Sequence, residues 1–186
     1  MTSDSLELPP KGPFAALVLG GARSGKSRYG EGLVRQASGR AVYIATAEAR
    51  DDEMATRISH HQAHRGSDWF LIEEPIALAT KLRKDLLPDD VVLVDCLTLW
   101  LGNLMEKDIS SEAAVDDLMD ALKTCPARVV LISNEVGWGI VPDNALARAF
   151  RDEAGRLHQR LSAEVDAVIA VIAGLPLTLK APSPIR

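Results

Sequence analysis

Gly20-Gly21-Ala22-Arg23-Ser24-Gly25-Lys26-Ser27 decides the fold of this chain. Glycine stands at the first and sixth positions of the run, followed by lysine and serine, which is the full spacing of a phosphate-binding loop. The flanks agree with that reading. Ala15 to Leu19, just before it, is an apolar run of strand length, and Lys26 to Ala37, just after it, reads as a helix. The glycines let the backbone curl so that successive N–H groups point inward at phosphate oxygens. The helix that follows adds its unpaired N–H groups and positive end. In such a loop Gly20, Gly21, Ala22, Arg23, Ser24 and Gly25 cradle a nucleoside triphosphate, Lys26 reaches its β- and γ-phosphates, and Ser27 ligates Mg2+.

Outward from this motif, apolar runs alternate with longer amphipathic stretches, the pattern of a mostly parallel sheet flanked by helices. Strands are expected at residues 41–45, 69–72, 91–94, 129–133 and 165–173, with a short one at 177–179. Helices are expected at 76–86, 115–122 and 144–161. A further helix is expected to start at Asp51-Asp52-Glu53, whose acidic side chains favour its positive end. Asp95 closes an apolar run, so its carboxylate is expected at the carboxyl end of a strand, beside the phosphate loop, as a second Mg2+ ligand.

Length and composition bound the rest. The 186 residues fit one α/β domain, with residues 1–13 and 181–186 as extensions at its ends. A net charge of -5 argues against a general nucleic-acid binder. Cys96 and Cys125 are too few for a disulfide framework and are expected as buried thiols. The apolar tract at 165–179 is interrupted by Asp166, Gly174 and Pro176 and is too short to span a bilayer. No signal-peptide pattern opens the chain, so a cytoplasmic enzyme is the expectation.

His60-His61-Gln62-Ala63-His64 is the second chemical feature. A zinc site is one explanation, because His60 and His64 have i, i+4 spacing; a solvated polar helix face is another. The third is that one imidazole is a nucleophile or phosphate ligand, since a neutral ring nitrogen can attack an α-phosphorus and hold a nucleotide as a phosphoramidate. Residue chemistry alone leaves the three open and does not choose among the histidines.

With these residues in view, the chain resembles the bifunctional adenosylcobinamide kinase / adenosylcobinamide-phosphate guanylyltransferase family, from about Leu17 to Lys180. The resemblance rests on residues 20–27, Tyr43-Ile44-Ala45-Thr46-Ala47, Asp51-Asp52-Glu53-Met54 with Arg57-Ile58 and His60-His61, and Asp95-Cys96-Leu97-Thr98. It continues through Asn134-Glu135-Val136-Gly137-Trp138-Gly139-Ile140-Val141-Pro142, Arg148, Phe150-Arg151-Asp152 and Gly155-Arg156. It implies a RecA-like P-loop NTPase fold, a homotrimer, and two reactions: phosphorylation of adenosylcobinamide by ATP or GTP, then transfer of GMP from GTP onto that phosphate. It further implies a GMP-histidine at His60, with His61 as the near alternative. Ala45, Thr46 and Ala47, together with His61, Gln62, Ala63 and His64, would lie along the nucleotide, and Glu73 is a further candidate contact. The sequence departs from the family pattern at His158, where an asparagine is expected. The residues 134–139 are consistent with a loop near substrate and equally with a turn that carries Trp138 into a subunit contact. Outside the resemblance, another small P-loop kinase and an NTP-dependent switch or assembly module stay open.

Overall fold

The computed structural model describes residues 6–48 and 68–182. One seven-stranded sheet runs through the molecule in the order β3-β2-β4-β5-β1-β6-β7. Its strands are β1 (Phe14–Gly20), β2 (Arg40–Ala45), β3 (Phe70–Glu73), β4 (Asp90–Asp95), β5 (Arg128–Asn134), β6 (Ala167–Ile172) and β7 (Leu175–Lys180). β1 to β6 pair in parallel, and β7 closes one edge antiparallel to β6. Helices α1 (Lys26–Gln36), α2 (Leu78–Lys84), α3 (Leu97–Glu106), α4 (Ser111–Thr124) and α5 (Ala145–Glu164) connect them.

The strands read as near-continuous apolar runs because both faces of the sheet are covered. One face meets α2, α3, α4 and α5: Leu78, Leu82, Trp100, Leu101, Leu104, Leu118, Leu157 and Leu161 pack against Leu17, Val42, Val92, Val94 and Leu131. On the other face, Leu33 and Val34 of α1, with Leu6, cover Val18, Leu93, Val130 and Ile169. Gly30 lets α1 sit close to the sheet, since a Cβ there would lie 2.6 Å from the end of the Ile132 side chain. Residues 6–13, expected as an extension, are held to the body: Leu6 is buried, and Arg128 donates to the Pro9 and Pro10 carbonyls at 3.0 and 3.1 Å.

Two elements differ from expectation. α3 is a helix that the segment reading leaves unassigned, and Leu97, Trp100, Leu101 and Leu104 give it a buried i, i+3, i+4, i+7 stripe. The last strand is longer than expected, Leu175–Lys180, and tolerates Pro176 because it lies at the sheet edge. The helix expected from Asp51, and the cluster His60 to His64, lie outside the described residues. No helix among the described residues is long and apolar enough to cross a membrane.

Candidate active site

The parallel strands place the segments after β1 to β6 along a single edge, the carboxyl edge where α/β sheets bind ligands. β1 lies near the middle, between β5 and β6. Gly25 holds φ 96° at the N-cap of α1, a left-handed conformation that suits glycine, so the loop turns directly into the helix. Gly20 has no room for a side chain, because a Cβ would lie 2.6 Å from the Val171 carbonyl oxygen and would also run into Ser24 Oγ. The Gly174 N–H donates to the Ser24 carbonyl at 2.8 Å and braces the loop from β6.

Two polar atoms in this loop indicate what it is shaped for. Lys26 is buried, and its Nζ donates to the Gly21 carbonyl at 3.3 Å, folded back over the loop. Ser24 Oγ is buried with no hydrogen-bond partner. A buried hydroxyl without a partner is costly, and an anion in the loop would give it one. The hydroxyl of Ser27 and the carboxylate of Asp95 are hard oxygen donors of the kind Mg2+ takes. The cradle and its donors therefore fit a magnesium-nucleoside triphosphate.

Asp95 is at the carboxyl end of β4, on the edge of the sheet that carries the phosphate loop. β5 runs between β4 and β1, so Asp95 is two strand spacings from β1, roughly 10 Å. That intervening strand was not readable beforehand, because strand order is a tertiary property that apolar spacing does not encode. Asp95 Oδ2 accepts a 3.0 Å hydrogen bond from the Tyr43 hydroxyl, which orients the carboxylate. The residue level with Gly20 on the adjoining strand is Asn134, and the Glu135 N–H donates to the Gly20 carbonyl at 3.0 Å. Asn134 and Glu135 thus border the loop directly; their order after an apolar strand was the available signal, and the sheet order gives it meaning.

The remaining nucleotide candidates separate into a second group. Ala45, Thr46 and Ala47 follow β2, and Glu73 ends β3 in register with Ala45. Four strand spacings, about 19 Å, lie between β3 and β1. Glu73 and the phosphate loop are therefore not brought together. Thr46 is tied into the protein by its side chain and its backbone. Its hydroxyl donates to the Cys96 carbonyl and accepts from the Cys96 N–H, both at 2.8 Å, and its carbonyl accepts from Asn103 Nδ2 at 2.8 Å. Its backbone N–H donates to the Asp95 carbonyl at 3.3 Å. Thr46 is buried and engaged within the protein, so it acts on the site by holding the turns after β2 and β4 together.

Cys96 and Cys125 are both buried and unpaired, as expected. Burial, reinforced by the charge of Asp95, pushes the Cys96 thiol up to about 11, so it is no nucleophile at neutral pH. Among the described residues no group of three or more His, Cys, Asp or Glu side chains could hold a metal ion. His60, His61, Gln62, Ala63 and His64 lie outside the described residues.

A P-loop at the centre of a RecA-like sheet, with a folded-back lysine and an acidic residue one strand beyond its neighbour, defines a nucleotide-binding protein of the P-loop class. Comparison with known proteins makes the class specific. Residues 16–179 match the family model described as cobinamide kinase / cobinamide phosphate guanyltransferase. The bifunctional adenosylcobalamin biosynthesis protein CobU of Salmonella typhimurium is 46% identical over 179 residues, covering 88% of this chain and 98% of that protein. CobP of Pseudomonas aeruginosa, also described as bifunctional, is 46% identical over 166 residues, covering 88% and 96%. Among solved structures, the flagellar accessory protein FlaH of Methanocaldococcus jannaschii superposes with a TM-score of 0.55 at 14% identity, covering 92% of this chain and 80% of that one, a likeness of fold alone. The chain belongs to the cobinamide kinase / cobinamide phosphate guanyltransferase family and is a bifunctional kinase and guanylyltransferase of cobalamin biosynthesis that uses ATP or GTP with Mg2+.

Proposed function

We propose that the two reactions are divided between the P-loop and a histidine outside it, within one domain. In the first, the hydroxyl of adenosylcobinamide attacks the γ-phosphorus of ATP or GTP. The bond from that phosphorus to the β,γ-bridging oxygen breaks, and the hydroxyl proton passes to solvent. Lys26 leaves the Gly21 carbonyl for the β- and γ-phosphates, and backbone N–H groups of residues 20–27 hold the triphosphate. Ser27 and Asp95 hold Mg2+, which supplies charge neutralisation on the phosphate oxygens.

In the second reaction an imidazole nitrogen of His60, or of His61, attacks the α-phosphorus of GTP, and pyrophosphate leaves. An oxygen of adenosylcobinamide phosphate then attacks the same phosphorus, the N–P bond breaks, and adenosylcobinamide-GDP forms. Ala45, Ala47, His61, Gln62, Ala63, His64 and Glu73 line that nucleotide in this reading, with Thr46 bracing them. What supports two nucleotide positions on one edge is the strand spacing between the P-loop and the β2–β3 end. The homotrimer in this reading would use apolar surface left uncovered by the described residues: Trp138 and Ile140 are 78% and 97% exposed, and Leu175, Leu177 and Leu179 are exposed on edge strand β7. A monomer in sedimentation velocity would end that part of the reading. The reactions and their substrates suit the cytoplasm, and fractionation of the source cells tests it.

The observation that carries the kinase assignment is the P-loop cradle, with Lys26 folded over it and Ser24 Oγ unpartnered. Purified protein with Mg2+, adenosylcobinamide and ATP labelled at the γ-phosphorus should yield labelled adenosylcobinamide phosphate. Lys26→Ala should lower that rate by about 10²–10³-fold while leaving the circular dichroism spectrum unchanged. Undiminished phosphorylation by the variant would remove the P-loop lysine from the step.

A further inference from the structure

Beside the phosphate cradle, three side chains from three elements form one buried chain of hydrogen bonds. The Asn134 N–H donates to Thr98 Oγ1 of α3 at 2.6 Å. Thr98 Oγ1 lies 3.2 Å from Ser133 Oγ of β5, and Ser133 Oγ lies 2.7 Å from Nε2 of His158 on α5. Thr98, Ser133 and His158 are all buried, at 7%, 0% and 7% exposure. His158 Nδ1 faces Glu135 Oε2 at 3.8 Å, and the other oxygen of Glu135 accepts from the Gly137 N–H at 2.6 Å.

One proton assignment satisfies every member. Thr98 Oγ1 accepts from Asn134 and can give its own proton to Ser133, whose proton then goes to His158 Nε2. In this assignment His158 is neutral with its proton on Nδ1, directed at Glu135. Burial lowers the His158 basicity from its ordinary value, against the opposing charge of Glu135, and this favours the neutral ring. The order serine, histidine, carboxylate matches that of a hydrolytic triad, but Ser133 has no exposed surface and no acyl group reaches it. The chain acts instead through its ends.

Both ends lie on the residues that border the P-loop. Asn134 is in register with Gly20, and the Glu135 N–H is bonded to the Gly20 carbonyl. The Glu135 carboxylate also fixes the turn that follows, where a Cβ at Gly137 would lie 2.9 Å from Oε1. We propose that His158 is a positioning residue for phosphoryl transfer, which through Ser133 and Thr98 on one side and Glu135 on the other sets residues 134–137 against the first glycine of the P-loop. It touches no substrate. Displacing a group that borders the reacting phosphate by a fraction of an ångström costs rate, whereas nucleotide affinity rests on the loop's own N–H groups.

The inference rests on the P-loop being the site of phosphorylation, so turnover of the unaltered protein is measured first; its absence would fault that premise and not the chain. The test compares His158→Phe, His158→Gln and Ser133→Ala, with kcat expressed per nucleotide-binding site counted by calorimetry. Phe keeps the ring volume without the polar link, and Gln carries an amide about as far as Nε2. His158→Phe and Ser133→Ala should lose about 10-fold or more in kcat with KM for the nucleotide within about threefold of the unaltered protein, and His158→Gln should recover most of the loss. Unaltered kcat in His158→Phe, or His158→Gln as slow as His158→Phe, would overturn the proposal. If His158→Phe does not fold, the other two decide: Ser133→Ala slow with His158→Gln active supports the chain, and any other pairing overturns it.

Discussion

Buried polar side chains set the character of this site, and His158 has a consequence for stability as well as for rate. Its folded-state pKa lies below the ordinary 6.5 because burial disfavours the imidazolium more than Glu135 favours it. Below about pH 6.5 the unfolded chain therefore binds a proton that the folded chain refuses, and stability falls as pH falls through that window. Above it both states are neutral and the contribution is fully present. The urea midpoint of the unaltered protein should drop more between about pH 7.5 and 5.5 than that of His158→Gln, which has no group titrating there. Equal drops in the two proteins would show that His158 is not held neutral by burial. At this scale the sequence was partly legible. Lys26 and Ser27 are readable because a phosphate loop is local, with its donors at fixed spacing along the chain. Thr98, Ser133 and His158 are 35 and 25 residues apart in successive pairs, and only the packing of α3 and α5 on β5 makes them one unit.

Among the elements, α3 does more for the site than its apolar sequence suggests. It begins just after Asp95, carries Thr98 in the buried chain, and extends Asn103 back across the turns after β2 and β3. Asn103 Nδ2 donates to the Thr46 and Pro75 carbonyls at 2.8 and 3.1 Å, and Trp100 Nε1 donates to the Ile76 carbonyl at 2.8 Å. Its helical stripe was present in Leu97, Trp100, Leu101 and Leu104, but Leu99 and Gly102 blur the alternation of apolar and polar faces that marks an exposed helix. The bond pair between Thr46 and Cys96 is the most direct probe of this bracing. Thr46→Val keeps the shape and leaves the buried Cys96 N–H without a partner, while the Cys96 carbonyl keeps the Trp100 N–H, so it should cost about 1–3 kcal/mol in urea denaturation. A loss well under 1 kcal/mol would mean that the two turns are held by other contacts. At the far edge, Lys180 of β7 caps α5 by donating to the Ser162 and Ala163 carbonyls, each at 3.1 Å. The β6–β7 pairing shifts register between Val168 and Ile169, next to that cap.

The molecule as a whole separates chemistry from anchorage across the two ends of its sheet. The carboxyl edge holds the P-loop, Asp95 and Asn134. The amino edge is closed by ion pairs and hydrogen bonds. The Arg40 guanidinium meets Asp90 in two parallel 2.8 Å bonds, and buried Arg128 donates to the carbonyls of Pro9, Pro10, Ser38 and Asp89. Gly39, at φ 130°, lets the chain pass there, where a Cβ would lie 2.9 Å from Arg128 Nη2. Arg128→Met should therefore destabilise the protein by about 3 kcal/mol or more, since four carbonyls lose a charged donor, while kcat per folded site stays unchanged. A variant of normal stability would show that water replaces the guanidinium freely. The parallel α/β class was legible from the alternation of apolar runs and helices. The strand order was not, because it depends on which strands pair across long separations, so the strand that runs between Asp95 and the P-loop could not be read.

The central claim is that phosphoryl and nucleotidyl transfer use different groups of one chain, Lys26 in the P-loop and a histidine beyond it. The protein with Mg2+ is incubated with GTP labelled at the α-phosphorus and, separately, at the γ-phosphorus, then denatured and digested. The account predicts acid-labile, base-stable label from the α-position alone, on the peptide containing His60 and His61, and its loss in the variant lacking the labelled imidazole. No α-label on a protein that still binds GTP would contradict it, and would leave a P-loop kinase without a covalent nucleotidyl step.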